Sequence, residues 1–445
     1  MRTSSTAALP ICWGGFDGGL DTENDARAWL LLEHLRQFRH WHAGSGNPFT
    51  GKVDLDRVVL IGHSRGGEAV AVAALFNRLS AYPDDARVEF EYDFGIRGVI
   101  AIAPIDGQYD PRGMDTALTD VNYLVVHGSH DGDVQSFAGS AQYTRVGFDA
   151  CASCFKAGLY IVGANHGQFN TAWGRTDAGQ PWGWLLNLTP IMDGAAQRRI
   201  ASVSFSAFLE VVVFHRSEYR AFFDNPARGL AWLGDVEILN QYADGDRLVL
   251  ADFEEDDDVA SATWSDGHIS GEGLSRWREA LVSLKWRDLS SAAAMLGWDR
   301  DEGGPAPEYR IEFDAPLPAA ERIEFALAMD AASPLRDEDA QWTPPANIDF
   351  NIVLRDEYGN SSSLPLSSVQ LLYPQVDVST RKLALFDDLD TSEPVFQRFA
   401  FGLSDFPGLE SARVTSIALR FDASPAGSIY LDELAFVPLN PEYSP

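Results

Sequence analysis

Cysteine, positive charge and long apolar runs are all scarce in this chain, and each shortage closes off a class of protein. Three cysteines cannot all pair, and a zinc site needs about four ligands. No second Cys or His pair stands at zinc spacing, so Cys151-Ala-Ser-Cys154 reads either as a small loop disulfide or as two free thiols. Lys and Arg number 34 against 65 Asp and Glu, a net charge of −31. Such a surface repels phosphate backbones and anionic lipid, so no nucleic acid and no acidic membrane is expected as a partner. No apolar run approaches the roughly 18 residues that a membrane span requires. Met1–Pro10 has one charge but too short an apolar stretch for a signal peptide. Localisation therefore stays open: secreted or periplasmic only if a longer protein carries such a signal.

What is present divides into two textures. The 445 residues give room for two or three domains. Residues 1–242 hold 19 basic and 27 acidic side chains, whereas residues 243–445 hold 15 and 38. That asymmetry places a boundary near residue 240. The expected division is a catalytic domain over 1–242 and an all-β accessory domain over 243–445.

The sharpest signal is Val58-Val-Leu-Ile-Gly-His-Ser64-Arg-Gly-Gly67, an apolar strand running into a glycine-flanked serine, with a helix-forming run from Glu68 to Leu79 behind it. A Gly-x-Ser-x-Gly turn holds the serine oxygen at the tip of a strained strand-to-helix bend. On this reading Gly62 and Gly66 lack a Cβ so that the helix can pack under the turn. A nucleophilic serine needs a base, and the base needs an orienting acid. Asp131 follows the strand Tyr123–His127, and His166 follows Leu159–Val162, so both fall in polar loops at strand ends. Asp133 and Asp106 stand as rivals to Asp131. His63 and His127 read as packed or hydrogen-bonded residues.

The stretch Gly-His-Ser-Arg-Gly-Gly-Glu, with Ala103–Gly107, His127–Asp133 and Gly163–Asn170, resembles the serine esterases of the α/β-hydrolase superfamily, in the branch of chlorophyllases, platelet-activating-factor acetylhydrolases and cutinase-like polyester hydrolases. The resemblance spans roughly residues 20–220. It implies an α/β-hydrolase fold, incomplete at its start, and a Ser64–His166–Asp131 catalytic triad that hydrolyses a small or polymeric carboxylic ester through an acyl-enzyme, with no cofactor for catalysis. The Arg65 N–H is the expected oxyanion donor.

A departure from that pattern lies upstream. Residues 21–43 read as one amphipathic helix opened by Thr22-Glu-Asn-Asp25, a variant capping box. About twenty residues precede it, so the first strands and the second oxyanion donor are expected to be missing. Either the chain is a fragment or mis-started product, or Trp13-Gly14-Gly15 supplies replacement donors, or the site is crippled. The expectation is weak activity or poor solubility.

Beyond Tyr242 short alternating segments take over, among them Arg322–Asp330, Ile348–Arg355, Phe396–Leu403, Arg413–Phe421 and Ser428–Val437. They indicate an antiparallel β-sandwich. This half resembles the jelly-roll modules attached to secreted glycan-active enzymes, which makes a glycan a candidate partner. In similar jelly rolls an opening Asp-Phe-Glu and a closing Asp meet around calcium, so Asp252, Glu254 and Asp432 are calcium candidates. An arginine partner or backbone hydrogen bonds for Asp432 are the alternative. Trp264, Trp277, Trp286, Trp298 and Trp342 include candidates for sugar stacking, with core packing the expected use of most.

Overall fold

A computed structural model describes residues 23–301, 303–336, 341–383, 385, 391–409 and 413–438. Residues 1–22 lie outside it, and with them the expectations for Trp13–Gly15 and for Thr22 of the capping box.

The first half is built on a five-stranded sheet of β1 (Val58–His63), β2 (Ile96–Ile102), β3 (Asn122–Gly128), β4 (Phe155–Ile161) and β5 (Ile238–Asp244), in that spatial order. The first four strands run parallel, and β5 closes the far edge antiparallel to β4. Helices cover both faces, which is why these strands read as near-continuous apolar runs rather than alternating ones. Val99 and Ala101 of β2 join Tyr123 and Val125 of β3 under α1 (Asn24–Ala43) and α2 (Arg65–Phe76). Ile100, Ile102, Leu124 and Val126 point the other way, onto Phe208 and Val212 of α3 (Gly194–Val212). Glu23 holds the cap position of α1 and makes no side-chain cap bond. Asn24 instead donates to the buried carboxylate of Glu68 in α2, which also accepts the Gln108 N–H (2.7 Å).

The second half is two packed antiparallel sheets. One contains β6 (Leu248–Ala251), β8 (Arg276–Ser283), β9 (Asp288–Asp299), β11 (Ala320–Met329), β14 (Gln397–Gly402) and β16 (Ala426–Pro438), in the order β8-β9-β16-β11-β14 with β6 also on β16. The other has the order β7 (Gly267–Glu272), β10 (Glu308–Phe313), β15 (Val414–Arg420), β12 (Asn351–Asp356), β13 (Ser361–Pro365). Their facing residues, including Trp298, Phe325, Phe399, Ile417, Leu419 and Phe421, form one core.

The outer face of the six-stranded sheet is not open to solvent. Ala293, Met295, Ala326, Ala328 and Tyr430 pack on Ala141 of the first half. Beside them Glu433 receives Lys156 (3.0 Å) and Arg247 (3.1 Å). Arg398 is buried between Glu324 and Asp224. A return segment completes the joint: Val395 enters the core beneath α1 and α2, and Glu393 accepts the Phe137 N–H (2.6 Å) and the Ser136 hydroxyl (2.7 Å).

The expected fold class requires correction. Strand accounts for 33% of residues and helix for 22%, so the molecule is β-dominated rather than an α/β-hydrolase fold with an appendage. The eleven strands of the two packed sheets outweigh the five of the first sheet.

Candidate functional site

Backbone geometry singles out Ser64. It sits between β1 and α2 at φ 58°, ψ −125°, a conformation that costs an L-residue about 1–3 kcal/mol. Two glycines allow the turn. A Cβ on Gly62 would run into the Gly66 carbonyl, and one on Gly67 would lie 2.6 Å from Pro104 Cβ. Gly66, which the sequence pattern had marked as the second close approach, has open space where a Cβ would stand. The close contact falls one residue later because Gly67, not Gly66, faces the β2 loop. Arg65 is the first residue of α2, where N–H groups lack an intrahelical acceptor, so its N–H can serve an oxyanion.

Asp131 and His166 meet. His166 Nδ1 lies 2.7 Å from Asp131 Oδ2, with both side chains buried. Asp131 Oδ1 accepts the N–H groups of Asp133 (2.9 Å) and Val134 (2.6 Å), which fixes the carboxylate within its own turn. Burial pulls the His166 pKa down, but the hydrogen bond and charge of Asp131 more than offset it, and the group titrates above its ordinary 6.5. Its Nε2 is buried without a hydrogen-bond partner, 3.4 Å from the half-exposed Asp133. The two rival aspartates thus occupy different places. Asp133 stands on the solvent side of the imidazole, and Asp106 is bound by Arg145 (2.6 Å) and Arg287 at the joint between the halves.

The rings around the base form a stack. His63, the residue before Ser64, lies 4.5 Å from His166 and 4.9 Å from Trp173. Burial, then the neighbouring His166, drives the His63 pKa down to about 4, so it packs as a neutral ring. His127 reaches the Val134 carbonyl (3.0 Å) and supports the acid turn from below.

Sequence reasoning missed Asp177. It accepts the N–H groups of Gly132 (2.9 Å), His166 (3.1 Å) and Gly167 (2.8 Å), and the Asn165 amide (2.6 Å). One carboxylate therefore ties the acid loop to the histidine loop. Burial, then the charge of Asp131, pushes its pKa up to about 6. The only sequence signal was an acidic residue in a loop rich in Gly and Trp, which specifies no partner.

The calcium candidates do not converge. Among the described residues no group of three or more Asp, Glu, His or Cys side chains is placed to hold a metal. Asp252 holds the Thr263 hydroxyl (2.8 Å), Glu254 the Ala292 N–H (2.5 Å) and Asp432 the Glu433 N–H (2.6 Å). The backbone alternative for Asp432 is the one realised. Cys151 and Cys154 form a disulfide. Of the tryptophans, Trp298 is buried, Trp264 and Trp277 pack against the sandwich core, and Trp286 is exposed. Among the described residues no helix is long and apolar enough to cross a membrane.

No family model and no curated protein matches the chain. Similar solved structures include a beta-1,2-glucanase from Parabacteroides distasonis (13% identity, 44% of this chain and 25% of that one, TM-score 0.27). A family 11 carbohydrate-binding module from Clostridium thermocellum (11%, 43% and 95%, 0.25) and a non-crystalline cellulose specific carbohydrate-binding module (11%, 42% and 93%, 0.26) are also among them. The chain spans about a quarter of the length of the glucanase and of an exo-beta-agarase. These neighbours are carbohydrate-active enzymes and binding modules, with no α/β-hydrolase esterase among them. The resemblance to that superfamily is corrected accordingly. What remains is the chemistry of the side chains themselves.

Proposed function

We propose that this chain is a two-part hydrolase: Ser64 removes an acyl group from a carboxylic ester, and the sandwich half contacts a glycan. The observation that carries the reading is the buried Asp131–His166 hydrogen bond, which leaves the far imidazole nitrogen without a partner, while His63, the neighbour of the strained Ser64, packs its ring on that imidazole.

In this reading His166 Nε2 takes the Ser64 proton as Oγ bonds to the ester carbonyl carbon. The carbonyl π pair moves to oxygen, where the Arg65 N–H stabilises it. Collapse breaks the carbon–oxygen bond to the alcohol, which leaves with the proton from His166. Water then repeats the sequence on the acyl-enzyme and releases the acid, restoring Ser64. Asp131 holds the imidazole in the tautomer that presents a lone pair at Nε2 and stabilises the cation that forms.

A fluorophosphonate probe tests the nucleophile, because it labels only an activated serine. Labelling of the intact chain that disappears in Ser64→Ala supports the reading, and an unlabelled wild-type chain removes it. A second reading, in which the sandwich works as a glycan-binding or structural module beside an inert first half, is supported by the solvent-facing Trp286 and Tyr358. A glycan array on the Ser64→Ala chain addresses it, and a blank array would leave only the structural version.

A further inference from the structure

A cavity of about 640 Å³ opens between the two halves. The first half lines it with Asp133, Gln135 and the Ile105–Gln108 loop, and the second half with Trp286, Arg287 and Arg381. Asp133 connects it to the reaction centre, being 3.4 Å from His166 Nε2.

Trp286 is held there by its neighbours. It belongs to the turn joining β8 to β9, closed by the Leu284 N–H donating to the Arg287 carbonyl (2.8 Å). Lys285 on one side reaches the Gln135 carbonyl (3.3 Å) and gives its N–H to Glu393 (3.2 Å). Arg287 on the other side pairs with Asp106 and with Asp115 (2.5 Å). Leu284 is buried in the joint. The turn is therefore pinned at three positions, yet the indole it carries remains 62% exposed, facing the cavity. An anchored turn that leaves its largest apolar side chain in solvent gains no core packing from that residue.

We infer that the cleft belongs to both halves and that Trp286 is the stacking platform for a sugar ring of a neutral acylated glycan, positioned so that its ester reaches Ser64. The inference rests on the hydrolase reading. A pyranose presents axial C–H groups to an aromatic face and hydroxyls around its rim, and this lining offers an indole face with carboxylate and carboxamide acceptors beside it. Asp106 and Asp115 are paired with Arg145 and Arg287, which offset one another, and the carboxylate of Asp133 beside the base disfavours an anionic ligand. The cavity volume lies in the range that encloses a small ligand rather than a single acetyl group.

The test compares Trp286→Ala with wild type on two substrates, acetylated xylo-oligosaccharides and p-nitrophenyl acetate. The expected loss in kcat/KM is about tenfold greater on the glycan ester than on the small ester, carried by KM, with partial recovery in Trp286→Phe. Trp232→Ala, an exposed tryptophan outside the cavity, should move neither substrate. In parallel, calorimetry measures deacetylated xylo-oligosaccharide binding to Ser64→Ala and to Ser64→Ala/Trp286→Ala, with affinity expected to fall about tenfold in the double variant. Equal losses on both substrates, no loss on either, or an affinity that Trp286→Ala leaves unchanged overturns the platform. Should Ser64→Ala keep full esterase activity, the nucleophile assignment fails instead, and calorimetry still decides the platform.

Discussion

The two halves treat buried charge differently. Under the first sheet's loops, His166 is bonded at Nδ1 and left without a partner at Nε2, while His63 beside it is neutral. Where the sandwich docks, charges are matched in sets: Glu433 with Lys156 and Arg247, Arg398 with Glu324 and Asp224, Asp106 with Arg145 and Arg287. A buried imidazole nitrogen without a partner is available for proton transfer, whereas a charge paired across the joint fixes position. The contrast teaches that burial of charge serves proton transfer in one place and attachment of the halves in the other.

The comparison breaks most sharply at Ser64. Ser64→Ala is expected to lower hydrolysis of p-nitrophenyl acetate by at least about 10³-fold, and Asp131→Asn by about 10³–10⁴-fold, both read from kcat. A residual rate within tenfold of wild type in either would place the chemistry elsewhere.

Next comes the joint. Glu433→Ala leaves Lys156 and Arg247 buried without their shared partner, at a cost of about 3–5 kcal/mol. Urea denaturation should show that loss, and limited proteolysis should cut between the halves sooner. An unchanged midpoint would mean that the matched set contributes nothing to docking.

Asp177 sharpens the contrast, because it is a saturated carboxylate inside the reactive half. Asp177→Asn should reduce kcat about 10–100-fold through displacement of the two loops it ties. The pH profile supplies a second readout. His166 must be neutral to accept a proton, and its pKa is raised, so kcat/KM should climb with pH through a value above 6.5. Protonation of Asp177 near pH 6 weakens the four bonds it accepts and steepens the same acid limb. Asp131→Asn removes the charge that lifts His166, so burial then prevails and the limb should move to lower pH. A limb that stays in place in Asp131→Asn would contradict the assignment of the base.

The smallest effect concerns the turn. Gly66→Ala enters open space and should change stability by no more than about 0.5 kcal/mol, whereas Gly62→Ala meets the Gly66 carbonyl and should cost about 3 kcal/mol or more. Thermal melts of the pair test whether the tightness lies at Gly62, as the geometry requires.

Much of the local structure was legible because it follows from short-range rules. The apolar run Val58–Ile61 meets a glycine and gives β1. Leu159–Val162 lies within or beside β4. The alternating segment Arg413–Phe421 turns Ile417, Leu419 and Phe421 into one core. The serine, aspartate and histidine could be named because each follows a strand and lies in a polar loop. The family label drawn from the same residues went further than those local rules permit, and the solved structures that resemble the chain lie elsewhere. The calcium candidates show the same limit. Asp252, Glu254 and Asp432 look alike in sequence, but each is satisfied by a separate nearby donor.

By itself, then, the sequence determined periodicity, turn chemistry and the imbalance of charge, since these depend on neighbours a few residues away. Tertiary structure alone decided that Asp177 bridges two loops, that Glu393 reaches back to the acid turn across some 250 positions, and that Trp286 faces a cavity made by both halves. The reason is physical: whether a carboxylate is paired, or an indole is covered, depends on which distant segment is packed against it.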